Sequence, residues 1–72
     1  MGTVTSAVEF HVLPYGRRWA LSRDGQRVET FETKQQTIEL ACELAQAEEV
    51  SSIVVHDGHG HVQHRRDFFN FS

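Results

Sequence analysis

"HVLPYGRRWALSRDGQRVETF" (residues 11–31) decides the fold, because it carries alternating apolar and polar runs separated by two turn signals. Asp24-Gly25 is the stronger turn. A type I′ turn needs positive φ at both central positions, which Asp tolerates and Gly adopts freely. On one side of it, "RRWALS" (17–22) places Trp19 and Leu21 on one face. On the other, "RVETFE" (27–32) makes the returning strand. Upstream, "AVEFHVLP" (7–14) sets Val8, Phe10 and Val12 against Glu9 and His11, the period of a half-buried strand. Pro14 ends that strand and Tyr15-Gly16 supplies its turn.

Thr33 opens a helix. Its hydroxyl can cap an orphan amide, and Gln36 three residues later completes a capping box. Ile38, Ala41, Cys42, Leu44 and Ala45 fall on one side of the wheel, with Gln36, Glu39, Glu43 and Gln46 on the other. The pattern runs to about Glu49. "VSSIVV" (50–55) is a β-branched fourth strand, "DGHG" turns it, and "HVQHRRDF" (61–68) is the fifth. The order β-β-β-α-β-β predicts an α+β fold. We expect an antiparallel five-stranded sheet with one helix packed on one face, and Trp19, Phe10 and Ile38 as core anchors. The other face, with Glu9, His11, Arg18 and Ser22, can meet water.

The 72 residues make one domain, near the size at which an apolar core alone is marginal. Residues 1–6 are expected to fray, and 69–72 to form a C-terminal tail. A charged fraction of 24% is that of a globular chain, and a net charge of −3 disfavours a general grip on nucleic acid. Cys42 is the lone cysteine, which excludes an intrachain disulfide and suits a reducing, cytoplasmic setting. No apolar run has the length of a membrane span. Gly2 and Ser6 fit the permissive myristoylation pattern, which an ordinary terminus also meets.

His11, Val12 and Pro14 open a series of short motifs. It continues through Trp19, Ala20, Leu21 and Gly25, then Thr33 and Lys34, then Ala41 and Ala45. It closes with Val54, Val55, His56, Gly60, Val62 and Phe68. In order and spacing this series resembles the bacterial domain-of-unknown-function family 2188, over residues 10–68. The resemblance implies the fold and a bacterial or phage origin; it implies no activity. Thr37 stands where that family usually has a small Ala. "DGHGH" (57–61) stands where it usually has a charged residue and fewer histidines, so a metal role is not inherited.

The chemistry-bearing residues are few. His56, His59, His61 and His64 invite zinc. A turn at Gly58-His59 would set His56 against His61, and one at Asp57-Gly58 would set His56 against His59. In either register His61 and His64 lie on opposite faces. The expectation is therefore no cofactor and no built metal site, with His56, His59 and His61 a weak adventitious site for nickel or zinc. Cys42 on the helix stripe reads as a small hydrophobe. Glu9 and Glu29 are candidates for an acid–base pair, although scattered surface carboxylates are the rule. No catalytic residue is assigned, and the chain is not expected to be an enzyme.

The expected function is a binding module that acts through a protein partner or self-association. Tyr15, Arg17, Arg18, Arg65, Arg66, Phe69 and Phe71 are the candidate contact residues. Phe69 and Phe71, expected beyond the last strand, would form a dimer interface. Two alternatives remain. One is a nucleic-acid binder with Arg18, Trp19, Arg65 and Arg66 on the open face. The other is an inhibitor that offers the acidic helix face of Glu39, Glu43, Glu48 and Glu49 to a nucleic-acid enzyme.

Overall fold

Asp24 and Gly25 take positive φ, 48° and 86°, in the computed structural model, which describes residues 7–70. The turn they form joins β2 (Arg18–Arg23) to β3 (Gln26–Phe31), as the Asp-Gly signal predicts. It is also tied to β1 (Val8–Tyr15): the amide of Glu9 donates to Asp24 Oδ1 at 2.9 Å, and the Asp24 amide donates to the Glu9 carbonyl at 2.8 Å. β1 and β2 pair from Phe10↔Arg23 to Tyr15↔Arg18, which puts their turn at Gly16-Arg17, one residue beyond the predicted Tyr15-Gly16.

The helix α1 (Lys34–Gln46) carries the predicted capping box. Thr33 Oγ1 accepts from the Gln36 amide and Gln36 Oε1 accepts from the Thr33 amide, both at 3.2 Å. It stops short of Glu49 because the last turn tightens. The amides of Ala47 and Glu48 donate to the carbonyls of Leu44 and Ala45, three residues back, and the chain drops into the sheet. β4 (Val50–His56) and β5 (Val62–Phe69) follow. Phe69 thus belongs to the last strand rather than to a tail. Residues 1–6, 71 and 72, with Gly2, Ser6 and Phe71, lie outside the described residues.

The five strands lie in the order β3-β2-β1-β4-β5. The expectation of an all-antiparallel sheet is corrected here: β1 and β4 are parallel, with Phe10 opposite Ile53 and Val12 opposite Val55. The helix is the reason. It carries the chain back along the sheet, so β4 enters in the direction of β3, and therefore of β1. β4 then sits inside the sheet, and Ser51–Val55 are all buried. A strand covered on both faces shows no alternation to read.

The core is Val8, Phe10 and Val12 of β1, Leu21 of β2, Ile53 and Val55 of β4, and Ala41 and Ala45 of α1. The two alanines let the helix approach the large strand side chains. Phe10, 1% exposed, is the central anchor; Trp19 and Ile38 are half-buried at the margin. Thr37, absent from the predicted stripe, is fully buried, and its Oγ1 donates to the Thr33 carbonyl at 3.0 Å. The helix lies over β1, β2 and β4 and leaves β5 largely uncovered. No helix among the described residues is long and apolar enough to cross a membrane.

Candidate functional site

Alternation along β1 sends Glu9 and His11 to the face away from the helix, because Val8, Phe10 and Val12 take the helix side. The parallel pairing with β4 then brings His56 beside His11. His11 Nδ1 and His56 Nε2 are 2.8 Å apart. The outer nitrogens are held too: His11 Nε2 lies 2.5 Å from Glu9 Oε1, and His56 Nδ1 lies 3.0 Å from the Gly60 carbonyl oxygen. Arg65, on the same face of β5, lies 3.8 Å from Glu9 Oε2 and 3.4 Å from Asp67 Oδ1. Its Nη2 donates to Ser52 Oγ at 3.4 Å. A continuous polar line therefore crosses β1, β4 and β5.

The sequence did not suggest the His11–His56 contact. The phase of Glu9 and His11 was legible, but their neighbour on β4 is set by strand order. The expected hairpin geometry at the histidines is corrected as well. A bulge between Val55 and His56 pairs His56 with Val62, so neither His59 nor His61 faces it. Residues 57–61 form the turn, organised by Asp57. Its Oδ1 accepts from the amides of His59 at 2.8 Å and His61 at 3.0 Å. These two amides, His59 first, hold the Asp57 carboxyl below its ordinary value. The rings of His59 and His61 stand 6.4 Å apart between centroids and the His56 ring turns to His11. Among the described residues, no three His, Cys, Asp or Glu side chains gather as a metal-holding group.

The candidate contact residues divide among several places. Tyr15 is exposed on the open face with the Arg27 guanidinium 4.4 Å from its ring centroid. Arg17 is in the first turn, and Arg18, opposite Tyr15, reaches the Thr30 carbonyl at 3.4 Å. Arg65 lies on the open face of the far edge strand. Arg66, opposite core Ile53, lies on the helix side over the Phe68 ring. The four arginines thus do not form one basic patch. Trp19 also belongs to the helix side, with Lys34 Nζ 5.1 Å from its ring centroid. Glu9 and Glu29 cannot act as a pair, because Glu29 is opposite core Leu21 while Glu9 faces away from the core.

β5 is exposed over most of its length, with only Phe68 half-buried. Phe69, 68% exposed, and Val62 are its open hydrophobic residues. Between β5 and α1 runs a groove of about 400 Å³ lined by Lys34, Ile38, Cys42, Val55, His64 and Arg66. Cys42 is therefore half-buried at a groove wall rather than sealed in the core. On the acidic helix face Glu39, Glu43 and Glu49 are exposed, while Glu48 accepts from Arg23 at 2.9 Å.

A family model described as an uncharacterized protein conserved in bacteria, DUF2188, matches residues 10–68. No curated protein and no solved structure matches the chain.

Proposed function

The chain belongs to the DUF2188 family, whose description assigns no activity, and from that premise we propose a cytoplasmic, non-enzymatic binding module that self-associates through the edge of β5. The observation that carries this reading is the strand itself. β5 pairs with β4 on one side and is an outer strand of the sheet on the other, exposed along Val62–Asp67. Such an edge offers a row of unpaired amides and carbonyls to a second strand. A domain of this size also gains from added burial.

Symmetry selects the register. Two copies of one strand pair antiparallel about a two-fold axis normal to the sheet, so the axis must pass through a residue facing itself. Centred on Arg65, the pairing would oppose two arginines on the open face, and centred on Asp67, two aspartates. Centred on Arg66, it sets Arg65 against Asp67 of the second copy, twice, and these two opposite-charge pairs on the open face outweigh the one Arg66–Arg66 pair on the helix side, where each guanidinium lies over its own Phe68 ring. Opposite charges directly across a pair stabilise it, and like charges destabilise it. Phe69 then lies opposite Gln63 and adds its exposed ring to the contact.

Sedimentation equilibrium tests the reading. We expect a weak, roughly micromolar dimer, in keeping with a small interface. Arg65→Asp should render it monomeric, and the double exchange Arg65→Asp with Asp67→Arg should restore the dimer. A wild-type chain that stays monomeric at high micromolar concentration rejects it.

A further inference from the structure

We propose that His11 and His56 form a proton-binding pair, closed by one shared proton, that latches the β4–β5 turn to the middle of the sheet. The Glu9 carboxylate and the Gly60 carbonyl can only accept, so the nitrogens facing them, His11 Nε2 and His56 Nδ1, must each carry a proton. If both rings are neutral, the two inner nitrogens then bear lone pairs and face each other at 2.8 Å. Two acceptors do not hold that distance. A single added proton resolves the conflict: His11 becomes doubly protonated and donates through Nδ1 to His56 Nε2. Its positive charge rests against Glu9.

The shape of the pair identifies the occupant as a proton rather than a metal ion. The ring centroids are 5.1 Å apart, which is the nitrogen–nitrogen distance plus one ring radius at each end. Centroids and nitrogens therefore lie nearly on one line. That is the geometry of an N–H···N bond. A chelated ion would sit at the apex of a bent arrangement, with both lone pairs aimed to one side.

The latch closes only with one proton. A second proton sets two N–H groups against each other, and removal of the first leaves two lone pairs, so the pair opens at either extreme. The charged neighbours are Glu9 on β1, Arg65 and Asp67 on β5, and Asp24, whose carboxylate holds the Glu9 amide. Across the face Arg27 is engaged with Tyr15, and in the turn Asp57 faces His59 and His61. Opening breaks the His11–His56 bond, through which His56, itself bound to the Gly60 carbonyl, ties this turn to β1. None of this depends on self-association of β5.

Nitrogen-detected NMR of the histidine rings, on the full chain across a pH titration, tests the proposal. We expect His11 and His56 to move together in two steps, with a coupling across the bond between Nδ1 and Nε2 that vanishes at both ends. In His56→Phe, which keeps a ring but no nitrogens, His11 should change in a single step; in His11→Phe, His56 should do the same. Independent single steps for both rings in the wild-type chain would overturn the proposal. So would one equivalent of zinc binding both rings with micromolar affinity, which would make the pair a chelate.

Discussion

Asn70, just past the end of β5, donates through Nδ2 to the Ala45 carbonyl at 3.2 Å and to the Glu48 carbonyl at 3.1 Å. Its amide donates to the Glu49 carbonyl at 2.7 Å. The residue that follows the last strand thus adds to the cap of α1, whose Ala45 carbonyl also accepts from the Glu48 amide at 3.2 Å and the Ser51 hydroxyl at 3.1 Å. Asn70→Ala should cost about 1 kcal/mol, the net worth of a lost hydrogen bond. Urea denaturation against the wild-type chain reads the difference. A chain ending at Asp67 or Phe68 would lose this cap with its aromatics, so a truncation test of assembly must be read beside Asn70→Ala.

Phe10 and Trp19 rank in the opposite order from their side-chain sizes. Phe10 is enclosed by core residues of β1, β4 and α1, and Trp19 lies at the margin beneath Lys34. Phe10→Ala should cost about 3–5 kcal/mol. That is a large share of the roughly 4–10 kcal/mol that a domain this size possesses. Trp19→Ala should cost about 1–3 kcal/mol, as partial burial implies. Near-native circular dichroism for Trp19→Ala and its loss for Phe10→Ala is the expected pattern; the reverse ranking would contradict the packing described above.

Gly25 sits at φ 86° with open space where a Cβ would stand. The cost of Gly25→Ala is therefore one of backbone conformation and not of collision, about 1–2 kcal/mol. Thermal unfolding should show it. Asn at this position tolerates positive φ better and should recover part of the loss.

Asp57 makes the turn at 57–61 sensitive to acid. Its carboxyl is held below the ordinary 3.8 by the amides of His59 and His61. A depressed folded value means a contribution that is present above 3.8 and lost as pH falls through the folded value. The His59 and His61 amides should therefore be protected at neutral pH and lose that protection only in strong acid. In Asp57→Asn a neutral oxygen still accepts, so the protection should be weaker at neutral pH and insensitive to acid. Amide exchange across the pH range checks both.

Local chemistry was legible in the sequence. The Asp24-Gly25 turn, the Thr33–Gln36 capping box and the alternation of Val8, Phe10 and Val12 each depend on residues a few positions apart, and each formed as expected. So did the element order and the placement of one helix on one face. Which strands become neighbours was not legible, because a period of two assigns residues to faces and does not name the strand beside them. The helix decided that. By returning the chain along the sheet it slid β4 parallel to β1, buried Ser51–Val55 on both sides, and set His56 against His11, 45 residues away. The bulge at Val55/His56 then moved the last strand out of the register that a plain hairpin would have taken. Phe68 turned to the core, Phe69 to solvent, and Asn70 to the end of the helix. Those placements depend on how much apolar area the single helix can cover, a property of the assembled sheet and of no one segment.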